Sequence, residues 1–112
     1  MREDRGFFCL PEIDLPVAFT PGLSALIAAR LTRRIAHEAM VTGRRYGGID
    51  AAAAGIVDEA VPEADVLPQA LGRARALAGK DAITLGTIKA RLHADVVATL
   101  RDRRANAVGT PA

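Results

Sequence analysis

Aromatic side chains are scarce, at 4 % of the chain, with no tryptophan and only Phe7, Phe8, Phe19 and Tyr46. Everything after Tyr46 must therefore pack with Leu, Ile, Val and Ala, which points to helices in that part. Cysteine is limited to Cys9. One thiol excludes an internal disulfide, its apolar neighbours mark it as a small buried hydrophobe, and a reducing cytoplasm is the expected compartment. Lysine is limited to Lys80 and Lys89 among fifteen basic residues, so arginine dominates a net charge of only +2. Acids interleave with those arginines, which leaves no polybasic block for nucleic acid or a membrane surface. No apolar run is long enough to span a bilayer, and the opening MREDRG is too acidic for a secretory or transit leader. The closing GTPA matches no peroxisomal or reticulum-retention tail. His37 and His93 stand alone on expected helices, so no metal site is expected.

What is present is ordinary globular material. Half of the 112 residues are hydrophobic and a quarter charged. A chain of this length makes one domain that buries on the order of two thirds of its unfolded surface. Phe7 to Leu10 is a short apolar run closed by Pro11, hence a strand, but one without an obvious partner. Thr20 and Pro21 open a helix whose Leu23, Leu26, Ile27 and Leu31 recur at helical spacing. Thr32 caps a second helix with Ile35, Ala36, Ala39 and Met40 inward, Arg33 and Arg34 outward, and Gly43 as its stop.

The remainder repeats this grammar. Asp50 caps a short alanine helix ended by Gly55, and Ile56 to Val61 reads as a second strand ended by Pro62. An apolar stripe of Val66, Leu67, Ala70, Leu71, Ala74 and Ala78 marks a helix from Asp65 to Ala78. Asp81 caps a last helix carrying Leu85, Ile88, Leu92, Val96 and Leu100 for about four turns. Residues 1–104 form the folded region and 105–112 a frayed tail.

Glu12 stands out. It comes closely after Phe7, Phe8, Leu10 and Pro11, and a carboxylate in an apolar surround costs several kcal/mol unless paired. The segment FFCLPEIDL, the helix TPGLSALIAARL, then AHEAMVTGRRYGGIDAAAAGIVDEAVP and TIKARL in the last helix resemble, in order and spacing, the C-terminal half of the crotonase superfamily. The similarity runs from about Arg5 to Arg101 and is greatest to the delta-isomerase-like enoyl-CoA hydratases and isomerases. It implies an α/β fold of which these residues are the C-terminal portion, predominantly helical with two short strands, the N-terminal half of the sheet lying outside them.

By the same resemblance, Glu12 is the catalytic carboxylate that moves a proton alpha to an acyl-CoA thioester. Leu15, Val17 and Phe19 line the acyl group, and Lys89 approaches the phosphates of coenzyme A, often across a subunit boundary. Coenzyme A enters as part of the substrate, and no other cofactor is implied. After PEIDL, relatives usually have Gly-Leu-Pro where this chain has Pro16, Val17 and Ala18. The backbone N–H donors that hold the thioester oxygen in the family belong to an N-terminal glycine-rich segment without a counterpart here.

Three alternative functions are open. The first is a truncated or split enoyl-CoA hydratase/isomerase, isomerisation favoured, inactive until a missing N-terminal half or a homo-oligomer completes it. The second is a non-catalytic helical module that associates with crotonase-type oligomers. The third is a DNA-binding helical protein, suggested by the arginines of ARLTRRIAHEAMVTGRR but disfavoured by the modest net charge.

Overall fold

The computed structural model describes residues 1–108. Strand β1 (Phe7–Phe8) leads into a 3-10 turn (Pro11–Ile13), then helices α1 (Pro21–Arg30) and α2 (Arg33–Thr42). Strand β2 (Tyr46–Gly47) and helix α3 (Gly48–Ala53) come next, and then the long helices α4 (Glu63–Ala78), α5 (Ala82–Leu92) and α6 (Ala94–Arg101). The local caps are where side-chain chemistry put them. Thr20 Oγ1 accepts from Leu23 N and Thr32 Oγ1 from Ile35 N, each at 3.2 Å. Asp81 Oδ2 accepts from Thr84 N at 2.8 Å, and Gly43 closes α2 with φ of 67°. Each of the three N-caps satisfies an N–H that the helix itself leaves open.

Pairing departs from the expected strands. The first strand is shorter than Phe7–Leu10, and it has a partner: Phe7 lies opposite Gly47 and Phe8 opposite Tyr46, antiparallel. The residues 56–61 do not form the second strand. Ile56 N and Val57 N donate back to Ala51 O, at 2.9 and 3.3 Å, so the start of this stretch is committed to closing α3. Val61 makes an isolated parallel bridge with Arg2. Helix α3 is entered from Gly47 rather than Asp50, which sits in its first turn. A Cβ on Gly48 would stand 2.0 Å from Arg2 O, so only glycine lets the N-terminal segment lie against the start of α3. Helix α4 begins at Glu63, directly behind Pro62 and two residues ahead of Asp65.

The last helix is broken at His93, whose φ of −104° and ψ of 12° end α5 and let α6 run in a new direction. That turn lays α6 against α1. There Asn106 Oδ1 accepts from Gly22 N at 2.7 Å while its Nδ2 donates to Thr99 O at 2.7 Å and Asp102 O at 2.8 Å. The tail read as frayed from 105 is thus tied down at Asn106, and 109–112 lie outside the described residues.

The core is small. Ala39, Tyr46 and Ala51 are fully buried, with Met1, Phe8, Leu10, Ala54, Ile56 and Val57 packed around them. Tyr46 OH donates to Glu38 Oε1 at 2.8 Å, and Arg44 Nη1 donates to the same oxygen at 2.6 Å while its guanidinium lies 4.6 Å from the Tyr46 ring centre. The hydrogen bond from Tyr46, then that from Arg44, holds the Glu38 carboxyl below its ordinary range. Burial, then the neighbouring Glu38, pushes the Tyr46 phenol up.

The stripes of α4 and α5 find no such core. Leu67, Ile88 and Leu92 of those stripes are all more than half exposed, as are their neighbours Leu77 and Ile83, Ile83 at 82 %. The accessible surface is 8479 Å², against about 5,900 Å² for a compact monomer of this mass. The radius of gyration is 16.5 Å, against about 13 Å for a close-packed domain of this length.

Candidate active site

Glu12 sits at the centre of the 3-10 turn, and its own carbonyl organises the loop that leads on to α1. Leu15 N and Val17 N both donate to Glu12 O, at 3.2 and 3.0 Å. Pro16, which has no N–H to give, falls between these two donors, so the departure from the usual family sequence forfeits no hydrogen bond of this loop. The other side of the turn rests on the end of α2. A Cβ on Gly43 would lie 2.8 Å from Asp14 Oδ2 and 3.3 Å from Ile13 Cγ2, and Cys9 Sγ donates to Gly43 O at 3.3 Å. Gly43 is favoured for its left-handed φ, while the Asp14 carboxylate beside it is the end of an exposed side chain that can move aside.

An apolar cleft of about 280 Å³ opens beside the turn. Phe8, Leu10 and Phe19 form one wall; Leu23, Leu26 and Ile27 of α1, with Leu31 just past its end, form the other. Glu12 is the one carboxylate among the lining residues, and its Oε2 is buried with no hydrogen-bond partner among the described residues. A buried, unpartnered carboxylate oxygen is rare, because leaving such an acceptor unmade costs free energy without any structural return. Such an oxygen can accept a hydrogen bond from a group outside the described residues.

The structure brings two of the sequence-derived site residues together, Glu12 and Phe19. Leu15 and Val17 do not line this cleft; they lie on the exposed loop that closes the turn. Lys89 is on the exposed α5, away from the cleft. The leucines and isoleucine of α1, which the periodicity assigned simply to an apolar face, are the second wall. The signal was present as a stripe of Leu23, Leu26, Ile27 and Leu31, but what it faces depends on how Leu10–Phe19 folds back. Arg30, at the last turn of α1, was not singled out by the sequence at all, yet it also lines the cleft. Among the described residues no cluster of three or more His, Cys, Asp or Glu side chains is placed to hold a metal ion, and no helix is long and apolar enough to cross a membrane.

Comparison with known proteins gives the same answer by sequence and by fold. The chain is 38 % identical over 61 residues to enoyl-CoA delta isomerase 3 of Arabidopsis thaliana, covering 54 % of this chain and 26 % of that protein. It is 32 % identical over 66 residues to the peroxisomal enoyl-CoA delta isomerase 2 of the same plant, covering 58 % and 28 %. It thus spans little more than a quarter of these curated relatives. An apo enoyl-CoA isomerase of Mycobacterium tuberculosis superposes with a TM-score of 0.81 over 89 % of this chain and 44 % of that one, at 24 % identity. The enoyl-CoA hydratase EchA3 of Mycobacterium ulcerans gives 0.80 over 89 % and 43 %, at 23 % identity. These likenesses are of fold, and the fold is the crotonase fold, of which the chain represents a part. The sequence profile of the enoyl-CoA hydratase/isomerase family matches residues 2–109, and the chain belongs to that family.

Proposed function

We propose that this chain supplies the general base of an enoyl-CoA isomerase. The observation that carries the reading is the buried, unpartnered Glu12 Oε2 in an apolar cleft. In the reaction, the Glu12 carboxylate takes a proton from C2 of a 3-enoyl thioester, the C–H electrons form a C1=C2 bond as charge moves to the thioester oxygen, and the same carboxyl returns the proton at C4 as the carbonyl re-forms and the double bond settles at C2=C3. One carboxyl suffices for this transfer, whereas hydration calls for a second group to activate water. The two curated relatives, both named delta isomerases, favour the same choice. Apolar walls serve it twice: they accept the acyl chain, and they exclude water from the base.

The thioester oxygen needs fixed N–H donors, each typically worth about 3 kcal/mol. In this reading they come from a further segment, either an N-terminal half or another subunit, that covers the exposed faces of α4 and α5. The excess of accessible surface over a compact monomer supports such a partner. Acyl-CoA is the substrate, Lys89 the proposed contact to its phosphates from across the subunit boundary, and Leu15 and Val17 the outer wall that the partner segment completes. The single free thiol of Cys9 is in keeping with a cytoplasmic location.

The test is conversion of a 3-enoyl-CoA to its 2-enoyl isomer by this chain joined to, or co-expressed with, an N-terminal crotonase half. Glu12→Gln is expected to lower kcat by orders of magnitude with acyl-CoA affinity nearly unchanged. An active assembly whose rate survives Glu12→Gln removes Glu12 as the base. An assembly that folds and binds acyl-CoA but is inactive with either residue supports a non-catalytic module instead.

A further inference from the structure

Helix α1 supplies the second wall of the apolar cleft, and it is held from the side away from the cleft. Leu23 and Leu26 line the cleft and are exposed. Among the described residues of α1, Gly22 alone is buried. The helix is therefore anchored at its first turn, where it meets α6 and the turn after it. A Cβ on Gly22 would stand 2.7 Å from Asn106 Oδ1 and 2.9 Å from Leu100 Cδ2, so the two segments approach as closely as a residue without a side chain allows.

Asn106 makes the anchor. Its Oδ1 accepts from Gly22 N at 2.7 Å, and its Nδ2 donates to Thr99 O at 2.7 Å and to Asp102 O at 2.8 Å. This set fixes the amide, because the reversed orientation would aim N–H at N–H and oxygen at two carbonyls. In the first turn of α1, Leu23 N is taken by Thr20 Oγ1 and Ser24 N by Thr20 O, while Pro21 has no N–H. Gly22 N is the donor of this turn that a distant residue satisfies. We infer that Asn106 is a positioning residue of the acyl cleft: through Gly22 it sets how far the wall of Leu23, Leu26 and Ile27 stands from Phe8, Leu10 and Phe19. Dispersion attraction is steep, and a wall that recedes by about 0.5–1 Å forfeits roughly a quarter to a half of it. The clasp at the root of α1 thus governs what each methylene of the acyl chain gains, while Asn106 itself lies outside the cleft lining. The inference rests on the cleft being the acyl site, as proposed above, and adds the residue that sets its fit.

The experiment is calorimetric titration with hexanoyl-, octanoyl-, decanoyl- and dodecanoyl-CoA, of the chain alone and of the chain joined to an N-terminal crotonase half. The parent is expected to gain about fourfold in affinity per added methylene until the cleft is full. Asn106→Ala should reduce that increment to about twofold, with hexanoyl-CoA bound nearly as before. Gly22→Ala keeps Asn106 and suits a helix, yet its Cβ parts the clasp from the other side, so it should give the same reduced increment even where Asn106→Ala fails to fold. The two changes together should flatten it no further, because they break one contact. Asp81→Ala, which removes the side-chain cap of α5, is the control for lost stability and should keep the parent increment. Variants at Asn106 and Gly22 that keep the parent increment, or that weaken every chain length equally, overturn the inference and leave the acyl cleft standing. A parent that binds no thioester in either form, or binds all lengths alike, removes the acyl cleft and the inference with it.

Discussion

Replacing Glu12 by methionine should make the chain more stable. Methionine keeps the length of the side chain and offers a flexible apolar surface to Phe8, Leu10 and the α1 wall. It removes a carboxylate oxygen that is buried in the cleft without a partner. Such an acceptor costs roughly 1–3 kcal/mol when left unmade. Glu12 as a whole is only half-buried, which favours the lower end, a gain of about 1 kcal/mol. For a domain of this size that moves Tm upward by roughly 4–8 °C. Glu12→Gln is the control, since its amide is polar and equally unmatched in the cleft; it should melt close to the parent. The assay is thermal unfolding monitored by far-ultraviolet circular dichroism, at one protein concentration for all three chains, because self-association shifts Tm by mass action. A methionine variant that melts below the parent would refute the argument. It would mean that Glu12 makes a stabilising interaction and that the cleft is not held in readiness for a substrate proton at a cost to stability.

Other outcomes test how the site is built and covered. Gly43→Ala places a Cβ at a positive φ, so it should destabilise by about 1 kcal/mol and loosen the Glu12 turn that rests on it, read as lost acyl-CoA affinity in the assembled enzyme. Asn106→Ala removes the clasp from Gly22 N to Thr99 O, and hydrogen exchange at α6 should rise while α3 stays protected. Because the Glu38 carboxyl is held below its unfolded value, its contribution is present above that value and is lost as pH falls through the lowered one; Glu38→Gln should flatten this acid limb of the Tm profile. Sedimentation of the chain alone should show association, weakened when Ile83 and Leu92 are both changed to Glu; a compact monomer with a sharp, high melt would contradict the exposed surface.

Local chemistry was legible in the order of residues. Thr20, Thr32 and Asp81 are caps because a short oxygen-bearing side chain can reach the N–H three residues on, whatever the rest of the molecule does. Gly43 is a stop because only a residue without a Cβ reaches the left-handed region cheaply. Glu12 was conspicuous because a carboxylate among apolar neighbours conflicts with its solvation. The tertiary structure alone decided the rest. It paired Phe7–Phe8 with Tyr46–Gly47, and it kept residues 56–61 from forming a strand, since the N–H groups of Ile56 and Val57 are spent on Ala51 O. It bent the last helix at His93 so that α6 meets α1, a break invisible in a stripe that keeps its period. It turned the apolar face of α1 into the wall opposite Glu12, and it put Arg30 on the lining of the same cleft. Periodicity says which side of a helix is apolar; only the packed chain says what that side faces.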